Sequence, residues 1–447
     1  MKRIIDTYLA EWKDHPYRKP LLLRGARQVG KTYAARQLGT LFENIVEINF
    51  EAESRFHQLF EADLDPAEII RNITYMTGKA ITPGKTLLFF DEIQGVPRAL
   101  TALRYFYERM PALHVIAAGS LIDFSIQMVG IPVGRVSSLY MYPLSFLEFL
   151  DAVGHPQLIE MILSNGEEMP VSQPIHEKTL ALLGEYIAVG GLPEAVARWR
   201  ATRNIRFCLE THHDLLITYR QDFEKYAKKF QIKYLNALFT SIPHQIGTKF
   251  KYGAVEGAYR ARELSPCIDL LTTAGILHLV IRSAGHGLPL GAESDPSDFK
   301  ALFLDVALVQ TMLGLDLHAW FLEPHRQFIN KGALVETLVG QEILSYTAIL
   351  EKQSLFYWRR NARGSEAEVD YLVQGGDAVI PIEVKSGAGS TLKSMHAFLE
   401  SHPASPYGLR FSTQNYSTYG KIRSQPLYAV AAAVTSPEQR RRLLALI

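Results

Sequence analysis

Two stretches of the 447-residue chain carry residue types at spacings that suit phosphate chemistry. Gly25-Ala26-Arg27-Gln28-Val29-Gly30-Lys31-Thr32 puts a glycine near each end of a loop, with a lysine and a hydroxyl directly after it. Glycines let such a loop curl until its backbone N–H groups point inward at phosphate oxygens. Lys31 then reaches the β- and γ-phosphates of ATP, and the Thr32 hydroxyl ligates Mg²⁺. Further on, Leu87-Leu88-Phe89-Phe90 runs straight into Asp91 and Glu92. An unbroken apolar run marks a strand buried on both faces, and ligands bind beyond the carboxyl ends of such strands. Asp91 is therefore expected beside the Mg²⁺, with Glu92 polarising the water that attacks the γ-phosphate. Ser120 ends another apolar run, expected between the strand that leads into the Gly25 loop and the one that leads to Asp91, where it could touch the γ-phosphate or that water. Arg135, after a flexible loop, offers a guanidinium to transition-state charge, in cis or from a neighbouring subunit.

Near the C-terminus the acids alternate along strands. Glu368 and Asp370 share one strand face, and Glu383 and Lys385 share a face of the next. Gly376-Asp377 between them suits a two-residue type II′ turn. Counted outward from that turn, Asp370 faces Glu383, with Cβ atoms about 5 Å apart. Like charges so placed destabilise a hairpin unless something neutralises them. A second divalent metal with oxygen ligands would do so, and Lys385 could hold a nucleophilic water or a phosphate.

The elements that position these groups follow from periodicity. Leu21 to Leu23, Ile45 to Phe50, Thr86 to Phe90 and His114 to Ala118 read as strands alternating with helices, the rhythm of a parallel α/β sheet. His176 to Gln245 is helical, broken at Gly190-Gly191-Leu192-Pro193. Three short helical patterns between Tyr234 and Ile281 lead to a hairpin with a long tip (Ser283 to Asp298), the order of a winged helix. After Leu315 come a helix, three alternating strands, a helix, and mixed α/β. Domain limits are expected at 1–150, 151–230, 231–315 and 316–447.

Composition narrows the field. Lysines and arginines exceed acids by one, so no global field recommends nucleic acid or an anionic membrane. Hydrophobic residues at 47% and charged residues at 21% fit globular domains. Cys208 and Cys267 are too few for a disulfide framework or a cysteine zinc site. The absence of a long apolar run or a leader-like start leads to the expectation of a soluble, cytoplasmic protein with no membrane partner. His212-His213-Asp214 reads as helix surface. Lys225, Lys228, Lys229 and Lys233 read as the solvated face of a basic helix, and Arg440-Arg441-Arg442 as a charged helix terminus. Lys249, Lys251, Arg260 and Arg262, against Glu256, are compatible with contacts to DNA phosphates.

The phosphate-loop run from Leu22 to Thr32 and Phe90-Asp91-Glu92-Ile93-Gln94 resemble a large prokaryotic group of AAA+ ATPases. So do Ala118-Gly119-Ser120, Gly134-Arg135-Val136, Pro143 to Phe149 and Gly190 to Glu194. In that group a C-terminal domain of unknown function has a restriction-endonuclease-like, PD-(D/E)XK core. Gly332 to Glu336, Glu368-Val369-Asp370 and Ile382 to Gly387 resemble it. The resemblance implies an α/β P-loop AAA+ ATPase with a helical lid, a winged-helix segment and a nuclease-like α/β domain. It also expects a helix glutamate in the nuclease-like site. Spacing from Gly332 favours Glu336, whereas helical projection puts Glu342 in the middle of the apolar stripe. The expected activity is Mg²⁺-dependent ATP hydrolysis coupled to action on nucleic acid, with homo-oligomers open. The alternatives are an ATP-regulated protein-interaction switch with an inactive docking domain, and an ATP-gated nuclease.

Overall fold

The computed structural model describes residues 1–61, 63–130, 132–166, 168–362, 365–385 and 392–445. Ser386 and Gly387 of the last motif, and the chain end at 446–447, lie outside them. Among the described residues no helix is long and apolar enough to cross a membrane.

The N-terminal part is built on a five-stranded sheet in the order β2-β3-β4-β1-β5, with β1 Leu21–Arg24, β2 Asn44–Asn49, β3 Thr86–Asp91, β4 His114–Ala118 and β5 Ser137–Tyr140. Every pairing is parallel, so all carboxyl ends share one edge. β3 is buried at every position, as its apolar run requires. β5 has no counterpart in the sequence reading, because a four-residue strand beginning Ser-Ser gives no apolar run. Helices from Phe146–Ala152 to Ile205–Tyr226 follow. Pro193 opens one of them, just past Gly190, whose φ is +77° and where a Cβ would lie 2.5 Å from Asp305.

An eight-stranded sheet follows, in the order β12-β13-β11-β10-β9-β8-β6-β7. Its strands are β6 Leu277–Ser283, β7 Ser294–Phe303, β8 Leu355–Ala362, β9 Ser365–Gly375, β10 Ala378–Lys385, β11 Gly408–Ser412, β12 Ser417–Tyr419 and β13 Ile422–Pro426. The hairpin read as a wing is therefore the edge of this sheet. β6 pairs in parallel with β8, so the sheet runs across the 315/316 limit. Of the three helical patterns expected before it, Ile232–Ser241 and Ala261–Thr273 are α-helices. The stretch between them is 3-10 turns, because Pro243 and the left-handed Gly247 and Gly257 interrupt it. The basic helix also divides: one helix ends at Tyr226 and the next begins at Ile232, leaving Lys228 and Lys229 between.

The β9–β10 register runs from Gly375 opposite Ala378 to Tyr371 opposite Ile382, the pairing a two-residue turn dictates. Gly376 has φ +63°, the first position of a type II′ turn.

Behind the N-terminal sheet a buried ion pair ties distant segments together. Arg3 Nε lies 2.8 Å from Glu148 Oε1, Nη1 donates to Val29 O at 2.9 Å, and Nη2 donates to Tyr142 O at 2.8 Å. Glu148 also accepts from Ile4 N and Ser145 N, closing a capping box on the Phe146–Ala152 helix. Both side chains are almost wholly buried. Arg3→Met should leave Glu148 buried and unpaired and lower stability by about 3–5 kcal/mol in denaturant titration of the full chain. A loss below about 1 kcal/mol would place the pair among the weak surface type.

Candidate functional site

The Gly25–Thr32 loop leaves the sheet at β1, between β4 and β5. Gly25 has φ +139°, and a Cβ there would lie 2.2 Å from Met141 O, so only glycine fits. Gly30 has φ +100° and precedes the Lys31–Gly39 helix, whose positive dipole end faces the loop. The Lys31 ammonium donates to Gly25 O at 2.9 Å and Ala26 O at 2.7 Å, bracing the curl from inside. Burial pushes the lysine down to about 8, against the pull of Glu92 and Asp91.

Thr32 Oγ1 donates to Asp91 Oδ2 at 3.0 Å. Burial, then Glu92, holds Asp91 above the usual carboxylate range. A hydroxyl and a carboxylate in contact are hard oxygen donors, a set that fits Mg²⁺. Glu92 sits in left-handed backbone (φ +50°), and Gln94 Nε2 donates to its carboxylate at 2.5 Å. A Cβ on Gly119 would strike Gln94 Oε1, so the end of β4 lies directly against this pair. The sequence reading gave Gln94 no role, and its proximity to Gly119 is what reveals one. Ser120 is buried, and its hydroxyl has no hydrogen-bond partner among the described residues. It opens into a small cavity shared with Gly25, Ala26, Asp123, Gly275 and His278. Arg135 stands apart from these groups: it is exposed and pairs with Glu108 at 2.9 Å.

The loop is clasped from outside as well. Tyr219 Oη donates to Arg27 O at 3.0 Å, and Arg27 pairs with Asp222 at 3.3 Å, both partners on the Ile205–Tyr226 helix. The turn at Gly275 presses against Ala26 N. Beside Gly30 and Tyr33 lies a largely apolar cavity of about 590 Å³, walled by Arg3, Leu144, Pro193 and Ala197.

In the C-terminal sheet the two candidate glutamates part company. Glu342 is buried and accepts from Phe146 N at 2.9 Å and from Tyr346 Oη at 2.6 Å, far from the hairpin acids in its bonding. Burial pushes it up to about 7. Glu336 joins the hairpin acids through a residue absent from the sequence argument, Lys300. That ammonium lies 2.9 Å from Glu336, 2.6 Å from Glu368 and 3.7 Å from Asp370. Burial opposes its charge, but Glu336, Asp370 and Glu368 outweigh it and hold the lysine well above its ordinary value. Asp370 Oδ2 accepts from Val384 N at 2.7 Å, and Lys385 lies 2.6 Å from Glu383. Glu383 is pushed up to about 7, and Glu336 to about 8, chiefly by burial and then by Asp370. Among the described residues no group of three His, Cys, Asp or Glu is set out to hold a metal ion. The carboxylates expected to hold the second metal face an ammonium, and as folded they do not fit a divalent cation beside it.

His212 is not on the surface as expected. It is buried, with Nε2 against Val189 O at 2.9 Å and Nδ1 against Thr311 Oγ1 at 3.3 Å, and burial pulls it down to about 4. Lys249 pairs with Asp298, and Arg442 with Glu11 and Glu438. Lys249, Lys251 and Arg359, with Thr248 and Ser394, line a cavity of about 580 Å³ against Glu368.

Three family models match the chain. Residues 17–150 match an AAA domain, 180–319 a domain of unknown function (DUF8612), and 331–430 another domain of unknown function (DUF4143). No curated protein matches the sequence. Among solved structures, the Walker-type ATPase PABY2304 of Pyrococcus abyssi is 14% identical, covering 70% of this chain and 95% of that one, with a TM-score of 0.43. The ORC1 protein of Aeropyrum pernix, solved in complex with DNA, is 11% identical over 69% of this chain and 90% of that one, at 0.27. PCH-2 of C. elegans is 13% identical over 46% of this chain and 66% of that one, also at 0.27. Superpositions this loose carry no role from those proteins to this one.

The lowered Lys31 value has a measurable consequence. Below about pH 8 the free lysine is charged and attracts a triphosphate; above it, binding must first take up a proton. ATP affinity should therefore fall by up to about tenfold per pH unit above 8, with proton uptake visible in calorimetry in buffers of different ionisation heat. Affinity unchanged between pH 7 and 9.5 would mean that the lysine stays protonated throughout.

Proposed function

The chain is a P-loop protein with an AAA domain at residues 17–150, and from that premise we propose that it is an Mg²⁺-dependent ATPase whose cycle acts on nucleic acid. The observation that carries the ATPase reading is the Thr32–Asp91 hydrogen bond beside a loop braced by Lys31. Lys31 and the inward N–H groups of the loop hold the β- and γ-phosphates. The adenosine lies in the apolar cavity beside Gly30 and Tyr33. Thr32 and Asp91 hold Mg²⁺, which when bound neutralises charge on the phosphate oxygens. Glu92, steered by Gln94, orients the attacking water and accepts its proton, while Ser120 donates to the γ-phosphate or to that water.

Arg135 acts in trans on this reading. Among the described residues it pairs with Glu108, which is itself exposed, and the segment before it displays Val133, 90% exposed, and Met128, 75% exposed. Apolar side chains beside an exchangeable guanidinium suit a contact with a second copy of the chain. The nucleic-acid partner rests on the cavity lined by Lys249, Lys251 and Arg359, whose cations and hydroxyls suit a phosphodiester backbone.

Lys31→Ala should lose ATP binding, whereas Glu92→Gln should bind ATP and fail to hydrolyse it. Undiminished turnover in both variants would remove the ATPase assignment. Arg135→Ala should bind ATP normally and hydrolyse it poorly, and mixing it with Lys31→Ala should restore part of the activity at mixed interfaces. A monomer at saturating ATP with no such rescue would rule out action in trans.

Duplex DNA should stimulate the ATPase. Replacing Lys249 and Lys251 together by Ala should flatten the salt dependence of DNA binding by up to about two units of slope. An ATPase indifferent to DNA, with an unchanged slope, would move the protein-interaction switch ahead.

A further inference from the structure

Glu368 and Asp370 on β9, Glu383 on β10 and Glu336 on the Gly332–Thr347 helix form one acidic group, and the chain itself supplies cations to it. Lys300 comes from β7, the outermost strand, in the segment matching one domain of unknown function, whereas all four acids lie in the next. The residue is only 2% exposed, and its ammonium lies 5.2 Å from the centre of the Tyr357 ring on β8. An ammonium has three N–H donors. Here three carboxylates surround it, at 2.9, 2.6 and 3.7 Å. Lys385 meets Glu383 Oε1, while Glu383 Oε2 is buried with no hydrogen-bond partner among the described residues.

A divalent cation would draw on the same oxygens that hold the Lys300 charge. An ammonium within 3 Å of Glu336 and Glu368, and 3.7 Å from Asp370, would repel a metal on those oxygens in a medium that screens the charge poorly. Nor can Lys300 leave without cost, since a buried charge parted from its partners loses several kcal/mol. We infer that Lys300 is the resident cation of this cluster, that it and a divalent metal are alternative occupants, and that the folded chain holds the lysine. The same contact ties β7 to β9 and to the Gly332–Thr347 helix, so any metal chemistry at these acids requires the Lys300 ammonium to withdraw. This inference stands independently of ATP hydrolysis.

The test counts Mn²⁺ ions bound by the full chain without nucleotide, by paramagnetic resonance of the free ion. Wild type and Glu383→Gln should bind equal numbers, because the acids are closed to metal. Lys300→Met should bind one ion more than wild type, and adding Glu383→Gln to it should abolish the gain. Lys300→Arg, which keeps the cation, should gain none. If Lys300→Met does not fold, Lys300→Gln, which keeps a hydrogen-bond donor, takes its place. An ion lost from wild type on Glu383→Gln would overturn the inference, as would a folded Lys300→Met or Lys300→Gln chain that gains no ion.

Discussion

A guanidinium buried behind the phosphate loop constrains much of the chain. Each nitrogen of Arg3 that could be stranded has a partner: Glu148, the carbonyl of Val29 and the carbonyl of Tyr142. Since an unpaired buried charge costs several kcal/mol, those three segments can move only together. Val29 belongs to the phosphate loop, Tyr142 follows β5, and Glu148 caps the next helix. The curl that would receive phosphate is thus held by a side chain with no place in the phosphate motif.

The same logic extends to the C-terminal sheet. Glu148 takes Ser145 N, and the adjoining Phe146 N is taken by Glu342 from the Gly332–Thr347 helix. Tyr186 Oη reaches both Leu144 O and Glu342, and Leu144 N donates to Gly191 O, whose own N–H is taken by Asp305. The Pro143 to Phe149 and Gly190 to Glu194 motifs are therefore two sides of one buried joint. On the helix that supplies Glu342, Glu336 lies earlier and binds Lys300. One helix thus touches the joint behind the phosphate loop with one carboxylate and the sheet's acidic cluster with the other.

What was legible in the sequence is what local chemistry determines. The apolar run before Asp91 dictated a buried central strand, and Gly376-Asp377 dictated the β9–β10 register. Two of the three helices expected before the hairpin form, and the hairpin with them, but its membership of a larger sheet was not readable, because β6 joins β8 across a long stretch of sequence and nothing local marks that pairing. Of the cations beside Asp370 and Glu383, Lys385 stands on the hairpin itself and was in view from the sequence, whereas Lys300 was not. Lys300 looks like any lysine on an edge strand until folding brings its ammonium over the Tyr357 ring and among the acids. Glu336 and Glu342 were separable only by their partners, since both are on one helix and both are drawn inward by burial.

Two buried lysines show how one residue type serves opposite ends. Lys31 faces backbone carbonyls, with its carboxylates bonded elsewhere, and burial lowers it to about 8. Among the described residues its charge has no formal counter-ion in contact, so an incoming triphosphate supplies one. Lys300 faces three carboxylates and is held far above its ordinary value. It has nothing to gain from a ligand anion and much to lose by moving. Burial alone does not make a lysine functional; the number of anions already in its shell decides whether it awaits a ligand or acts as a strut. By that measure the phosphate loop is a site built short of charge, and the acidic cluster is one whose principal cation the chain already provides.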